Sequence, residues 1–378
     1  MRATENSSAS RNPKFLLRGR WVGPVLLLIV LLLSAVALEL VSRAYWSGRR
    51  YVPFGQPGLV LYAFYPGLAR IDALRPSRHD AYFDVLILGG STLHPNFGAV
   101  GQALRERLLS KVPRKVRIFN LAFPGHTSRD AALQYAAVGE SRFDLVILYH
   151  GLNDARANNV PPEVFKSDYS HFAWYAVLNV MRGYHGRAHL ALPYSLHYVW
   201  TRIGVAGQME RYSPLEGPRD EWVRFGAAYR SKDAFETNLT SILDRARQVG
   251  DRVVLMTTVL YVPANYSFER FQNKQLDYQL HLTPLELWGE PKHVQGAVAA
   301  HNEVVRALAR RYGDVVLVDQ DRLMERGGRY FNDAAHFTVL GSAVFADHLV
   351  SARGVDPEEA GDERRNLLLQ ARTPDRRP

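Results

Sequence analysis

The run Val85-Leu-Ile-Leu88 constrains the fold more than any other stretch. Apolar residues without alternation read as a strand buried on both faces, the condition of a strand inside a parallel sheet. The run ends in Gly89-Gly90, which permits a sharp turn, and Ser91 follows. The same grammar recurs down the chain. Residues 99–112 carry helical spacing, with Leu104, Leu108 and Val112 on one face. Strands are predicted over 116–122, 145–149, 253–260 and 315–318. Helices are predicted over 127–137, with Thr127 or Ser128 as cap, and over 234–250, 294–312 and 340–349. Strands alternating with helices predict an α/β fold, a parallel sheet covered by helices on both faces.

The amino-terminal end is of another kind. Residues 1–20 hold Arg2, Arg11, Lys14, Arg18 and Arg20 against the single acid Glu5. Residues 21–38 carry no charge, and Leu40 and Val41 extend the run beyond Glu39. Its length suits a transmembrane helix at 21–41, bracketed by Trp21 and Trp46 as interfacial aromatics. The basic flank predicts a cytoplasmic amino terminus, with the remainder periplasmic or extracellular. A cleaved signal peptide competes, since Ala35-Val36-Ala37 resembles a cleavage site. The long polar leader favours an uncleaved anchor. Residues 42–82 then read as a juxtamembrane linker, 83–354 as the main domain and 355–378 as a charged tail.

Two stretches interrupt the alternation, 155–232 and 261–292, and the first is rich in Tyr, Trp and Phe. Long ordered excursions form lids or substrate walls, or else simply pack on the sheet. The absence of cysteine removes disulfides, thiolate metal sites and cysteine nucleophiles. The net charge of +10 is scattered, and no nucleic-acid motif accompanies it, so no nucleic-acid partner is expected.

Three further stretches give the Ser91 turn a chemical meaning. Asn120-Leu-Ala-Phe-Pro-Gly125 and Tyr149-His-Gly151-Leu-Asn153-Asp154 each follow a strand; Asn332-Asp333-Ala-Ala-His336 precedes the last helix. Strand ends of a parallel sheet share one edge, so Ser91, Gly125 and Asn153 should converge there. A serine hydroxyl is a weak nucleophile until a base takes its proton. His336 is the candidate base, and Asp333 can fix its tautomer from one turn away. The Ser91 and Gly125 N–H groups and the Asn153 amide would hold an oxyanion. Each piece has a plainer reading: a loop at Gly-Gly-Ser, a turn at Asn153-Asp154, a helix cap at Asp333. His94, His126 and His150 flank block residues and read as lining groups; no zinc-ligand spacing appears, so no metal is assigned.

Together, in this order over residues 83–350, the four blocks resemble those of the SGNH, or GDSL-type, hydrolase superfamily. The matches are Ser91, Gly125, Gly151-Leu152-Asn153-Asp154 and Asp333-Ala334-Ala335-His336. The resemblance implies a three-layer α/β/α flavodoxin-like fold and hydrolysis of acyl esters without a cofactor. Gly90 stands where the family's name motif has aspartate, and Thr92 where it has leucine. Three functions follow as expectations: a membrane-anchored serine esterase acting on a small-molecule or glycan-linked acyl ester; an O-acyltransferase or deacetylase of envelope polysaccharide; or a non-catalytic glycan-binding or assembly protein on the same fold.

Overall fold

The computed structural model describes residues 13–78, 81–208 and 221–352. The start of the basic leader, part of the first insertion and the charged tail at 355–378 lie outside them. Five strands form one parallel sheet: β1 (Tyr82–Gly89), β2 (Lys115–Asn120), β3 (Leu145–Tyr149), β4 (Val253–Met256) and β5 (Val316–Val318), in the order β2-β1-β3-β4-β5. This is the flavodoxin-like order, whose ligand crevice lies outside the carboxyl ends of the strands.

Twelve α-helices are described: α1 (Pro13–Arg50), α2 (Gly67–Leu74), α3 (Val100–Lys111), α4 (Ser128–Ala137), α5 (Leu152–Ala155), α6 (Ala173–Met181), α7 (Leu192–Gln208), α8 (Ser231–Val249), α9 (Phe268–Gln272), α10 (Pro291–Tyr312), α11 (Gln320–Leu323) and α12 (Val339–Val350). The period-two alternation of strand side chains sorts them into two layers. Leu86, Leu88, Val146, Leu148 and Leu255 pack with α4 and α8. Val85, Ile87, Ile147, Val254 and Met256 face the other way, onto α3 and α12. All these strand residues are buried, which is why the sequence runs are apolar without alternation.

β4 is shorter than the predicted 253–260. Thr257 already turns its hydroxyl to Asp319 Oδ1, at 2.9 Å, and the Thr258 N–H goes to Asn302 Oδ1, at 2.8 Å. Side-chain partners thus replace the ladder from that point.

The amino-terminal helix changes character along its length. Val22–Arg50 is long and apolar enough to cross a membrane, and residues such as Leu27, Leu31 and Leu33 are exposed. From Glu39 onward the same helix joins the domain. Glu39 accepts the Ala191 and Leu192 N–H groups ahead of α7. Trp46, which the sequence places at a membrane boundary, is instead 1% exposed. It donates to Ser195 Oγ at 2.9 Å and packs against Phe64, Tyr194 and Tyr198. The stretch read as a linker likewise contains α2 and a 3-10 helix, Pro57–Ala63, whose Val60, Leu61 and Tyr62 are buried.

Candidate active site

Strand register brings the blocks together. Gly89 of β1 pairs with Tyr149 of β3, so Ser91 and Gly151 each leave the sheet two residues later, side by side. On the other flank Ile87 pairs with Asn120. The loop beyond Asn120 follows β1 outward, with the Phe123 N–H on the Gly89 carbonyl. Gly125 closes that loop at φ +81°, a backbone region that favours glycine.

Ser91 opens a short 3-10 turn, Ser91–Leu93, and its side chain is buried. Its Oγ lies 2.8 Å from His336 Nε2. His336 Nδ1 lies 2.7 Å from Asp333 Oδ2. The Asp333–His336 segment is not helical. It is a tight loop closed by the Phe331–Phe337 bridge and by the Asn332 N–H on the His336 carbonyl. Asp333 Oδ1 accepts the Ala335 and His336 N–H groups, at 2.8 and 2.9 Å. Its Oδ2 also accepts the Thr283 N–H, at 3.0 Å. The carboxylate is therefore fixed by backbone donors before it meets the ring. Phe97 stacks on the His336 ring with centroids 4.8 Å apart.

Asn153 lies in the first turn of α5, beside this pair. Its Nδ2 donates to the His126 carbonyl at 2.8 Å, and its Oδ1 accepts the Trp288 indole N–H at 2.8 Å. Pinned at both ends, the amide keeps one N–H to offer. Among the described residues no acceptor takes the backbone N–H of Ser91 or Gly125. Gly90 has a steric reason to lack a side chain: a Cβ there would stand 2.7 Å from Asn153 Nδ2.

Asp154 points away from Ser91 and is buried. It accepts the Ser128 N–H and hydroxyl and the Tyr169 hydroxyl. Burial raises its pKa to about 6, against the lowering pull of those donors. Asp130, in the capping box of α4, accepts Tyr65 Oη at 2.7 Å and Trp174 Nε1 at 3.1 Å, and also the Tyr175 hydroxyl. Trp288 and Thr283 carry no motif, and the capping box of Asp130 does not announce its tyrosine and tryptophan partners. These partners lie 44 to 135 positions away, too far to leave a local pattern to read.

Of the flanking histidines, His94 and His126 line a cavity together with Gly125. Burial pushes both imidazoles below their ordinary pKa. His150 is buried elsewhere, its pKa lowered by burial to about 3. Among the described residues no cluster of three or more metal-ligating groups occurs.

The model of the GDSL-like lipase/acylhydrolase family matches residues 87–344. No curated protein matches the chain. Solved structures resemble the chain at low identity. An α/β hydrolase from the metagenome of Lake Arreo, Spain, is 15% identical, with 72% of this chain and 95% of that one covered and a TM-score of 0.38. For an acylhydrolase of Bacteroides fragilis the values are 13%, 76%, 91% and 0.39. For an acetyl-xylooligosaccharide esterase of Geobacillus they are 14%, 72%, 94% and 0.38.

Proposed function

We propose, from the premise that the chain belongs to the GDSL-like lipase/acylhydrolase family, that it is a membrane-anchored serine esterase whose domain faces away from the cytoplasm. The observation that carries the reading is the continuous Ser91–His336–Asp333 line of contacts, 2.8 and 2.7 Å long. His336 Nε2 takes the Ser91 proton as Oγ attacks the acyl carbon. Asp333 holds Nδ1–H, so that the free lone pair faces the serine. Negative charge moves to the carbonyl oxygen, where the Ser91 and Gly125 N–H groups and the Asn153 amide receive it. His336 returns the proton to the leaving alkoxide. Water then repeats the sequence on the acyl-enzyme and releases the acid.

Anchoring follows from the long apolar part of α1 and the basic residues before it. A serine-directed phosphonate is expected to label the full-length protein, and Ser91→Ala to remain folded but unlabelled and inactive. Labelling and ester turnover that persist in Ser91→Ala would overturn the assignment.

A further inference from the structure

An apolar cavity of about 610 Å³ adjoins the candidate site. One wall is the loop that ends in Gly125, with Phe123 and His126 on it. The other wall is formed by Ala63, Phe64 and Tyr65 of the juxtamembrane segment, which lie outside the region matched by the family model, and by Trp174 of the first insertion, which lies within it. Both aromatic sides are held in place. Tyr65 and Trp174 each donate to buried Asp130, and Phe64 packs edge-on to Trp174 with centroids 5.5 Å apart.

The polar groups in the wall are mostly committed elsewhere. Asn120 Nδ2 donates to the Leu93 carbonyl, and Gln134 Nε2 to the Leu121 carbonyl. Burial lowers the pKa of His94 and His126 and so favours their neutral form. Among the described residues, Arg50, the last residue of α1, is the one charged side chain in the lining.

We propose that this cavity seats the acyl chain of the ester, so that the substrates carry a medium-length or longer apolar acyl group rather than acetyl. The proposal rests on the esterase reading with Ser91 as nucleophile. Gly125 belongs both to the cavity wall and to the proposed oxyanion donors, so the cavity opens beside the ester carbonyl, and the proposal places the acyl chain in it. Pockets of about 300–1,000 Å³ bury ligands of drug size, and an acetyl methyl would leave most of this one unfilled. Each methylene moved from water into an apolar wall favours binding about fourfold.

The test uses the full chain in lipid nanodiscs, because detergent would compete for the cavity. Hydrolysis of p-nitrophenyl acetate, butyrate, hexanoate and octanoate varies the acyl chain at constant alcohol. kcat/KM should rise about fourfold per methylene. Ala63→Trp, which fills the cavity away from Ser91, should cut octanoate turnover roughly tenfold or more while acetate stays within about twofold. A flat chain-length series, or an equal loss on acetate and octanoate, overturns the proposal.

Octanoate binding to the Ser91→Ala protein supplies a readout that needs no turnover. Binding that Ala63→Trp abolishes supports the cavity even if phosphonate labelling fails and the esterase reading falls. No binding, in a protein whose wild type is labelled and active, overturns the cavity alone. Should Ala63→Trp fail to fold, Phe64→Ala enlarges the same wall. It should shift the optimum toward longer chains, and an unshifted optimum overturns the proposal.

Discussion

The two insertions reach the same sheet edge by different chemistry. The second, 261–292, sends neutral donors to the groups proposed to act in catalysis: the Trp288 indole to Asn153, the Thr283 N–H to Asp333. The first, 155–232, meets the domain through buried carboxylates, with Tyr169 on Asp154 and Trp174 and Tyr175 on Asp130. The first therefore builds walls and the second aims atoms. Disturbing the second should lower the rate, and disturbing the first should change stability and substrate range.

The largest expected effect is at Gly90, on the aimed side. Gly90→Ala drives a methyl against an amide that cannot retreat freely, since Trp288 and the His126 carbonyl hold its two ends. Loss of an oxyanion donor typically costs about 10²–10³ in rate. kcat should therefore fall about a hundredfold, with KM for a short ester little changed. A wild-type kcat in Gly90→Ala would remove Asn153 from the oxyanion site.

A smaller loss is expected at Trp288. Trp288→Phe keeps a ring in place but removes the indole N–H, leaving the Asn153 amide present and less well oriented. A reduction of about tenfold in kcat is expected, below the cost of losing the donor itself. Pre-steady-state acylation should show it, since the oxyanion forms in that step. If only KM moved, Trp288 would be a substrate wall like Trp174, and the contrast between the insertions would fail.

The contrast also explains what could be read from the chain in advance. The sheet was legible because a strand buried on both faces must be apolar throughout, as Val85–Leu88 and Leu145–Tyr149 are. Strand ends then fix where Ser91, Gly125 and Asn153 emerge, so three blocks could be assigned to one edge without coordinates. Trp288 and Asp130 act through partners far away in sequence, and neither periodicity nor spacing records such pairs. Trp46 was misplaced for a related reason: an aromatic beyond an apolar run looks the same whether lipid or Tyr194 covers it. The three-residue spacing of Asp333 and His336 lets one reach the other round a single turn of chain, and that spacing alone does not tell a turn of helix from the loop observed.

The smallest effect separates the insertions by pH. Asp154 is buried, and its pKa is raised to about 6 from an ordinary 3.8. A carboxyl with a raised folded-state pKa contributes stability that is fully present below the unfolded value. That contribution is lost as pH rises through the folded one. Between pH 4 and pH 7 the loss is about 2 kcal/mol. Asp154→Asn stays neutral throughout and so lacks this dependence. It carries a constant loss instead, because an Asn amide facing the Ser128 N–H would oppose a donor with a donor. The Tm of the variant relative to wild type should therefore rise by several degrees from pH 4.5 to pH 7. His150, neutral through burial, adds an opposite trend to both proteins and cancels in the difference. Trp288→Phe, which removes a hydrogen bond to the neutral amide oxygen of Asn153 and keeps a ring beside His336, should give a difference that is flat over the same range. A flat difference for Asp154→Asn would mean that the Ser128 and Tyr169 donors outweigh burial. The first insertion would then be attached as insensitively to pH as the second.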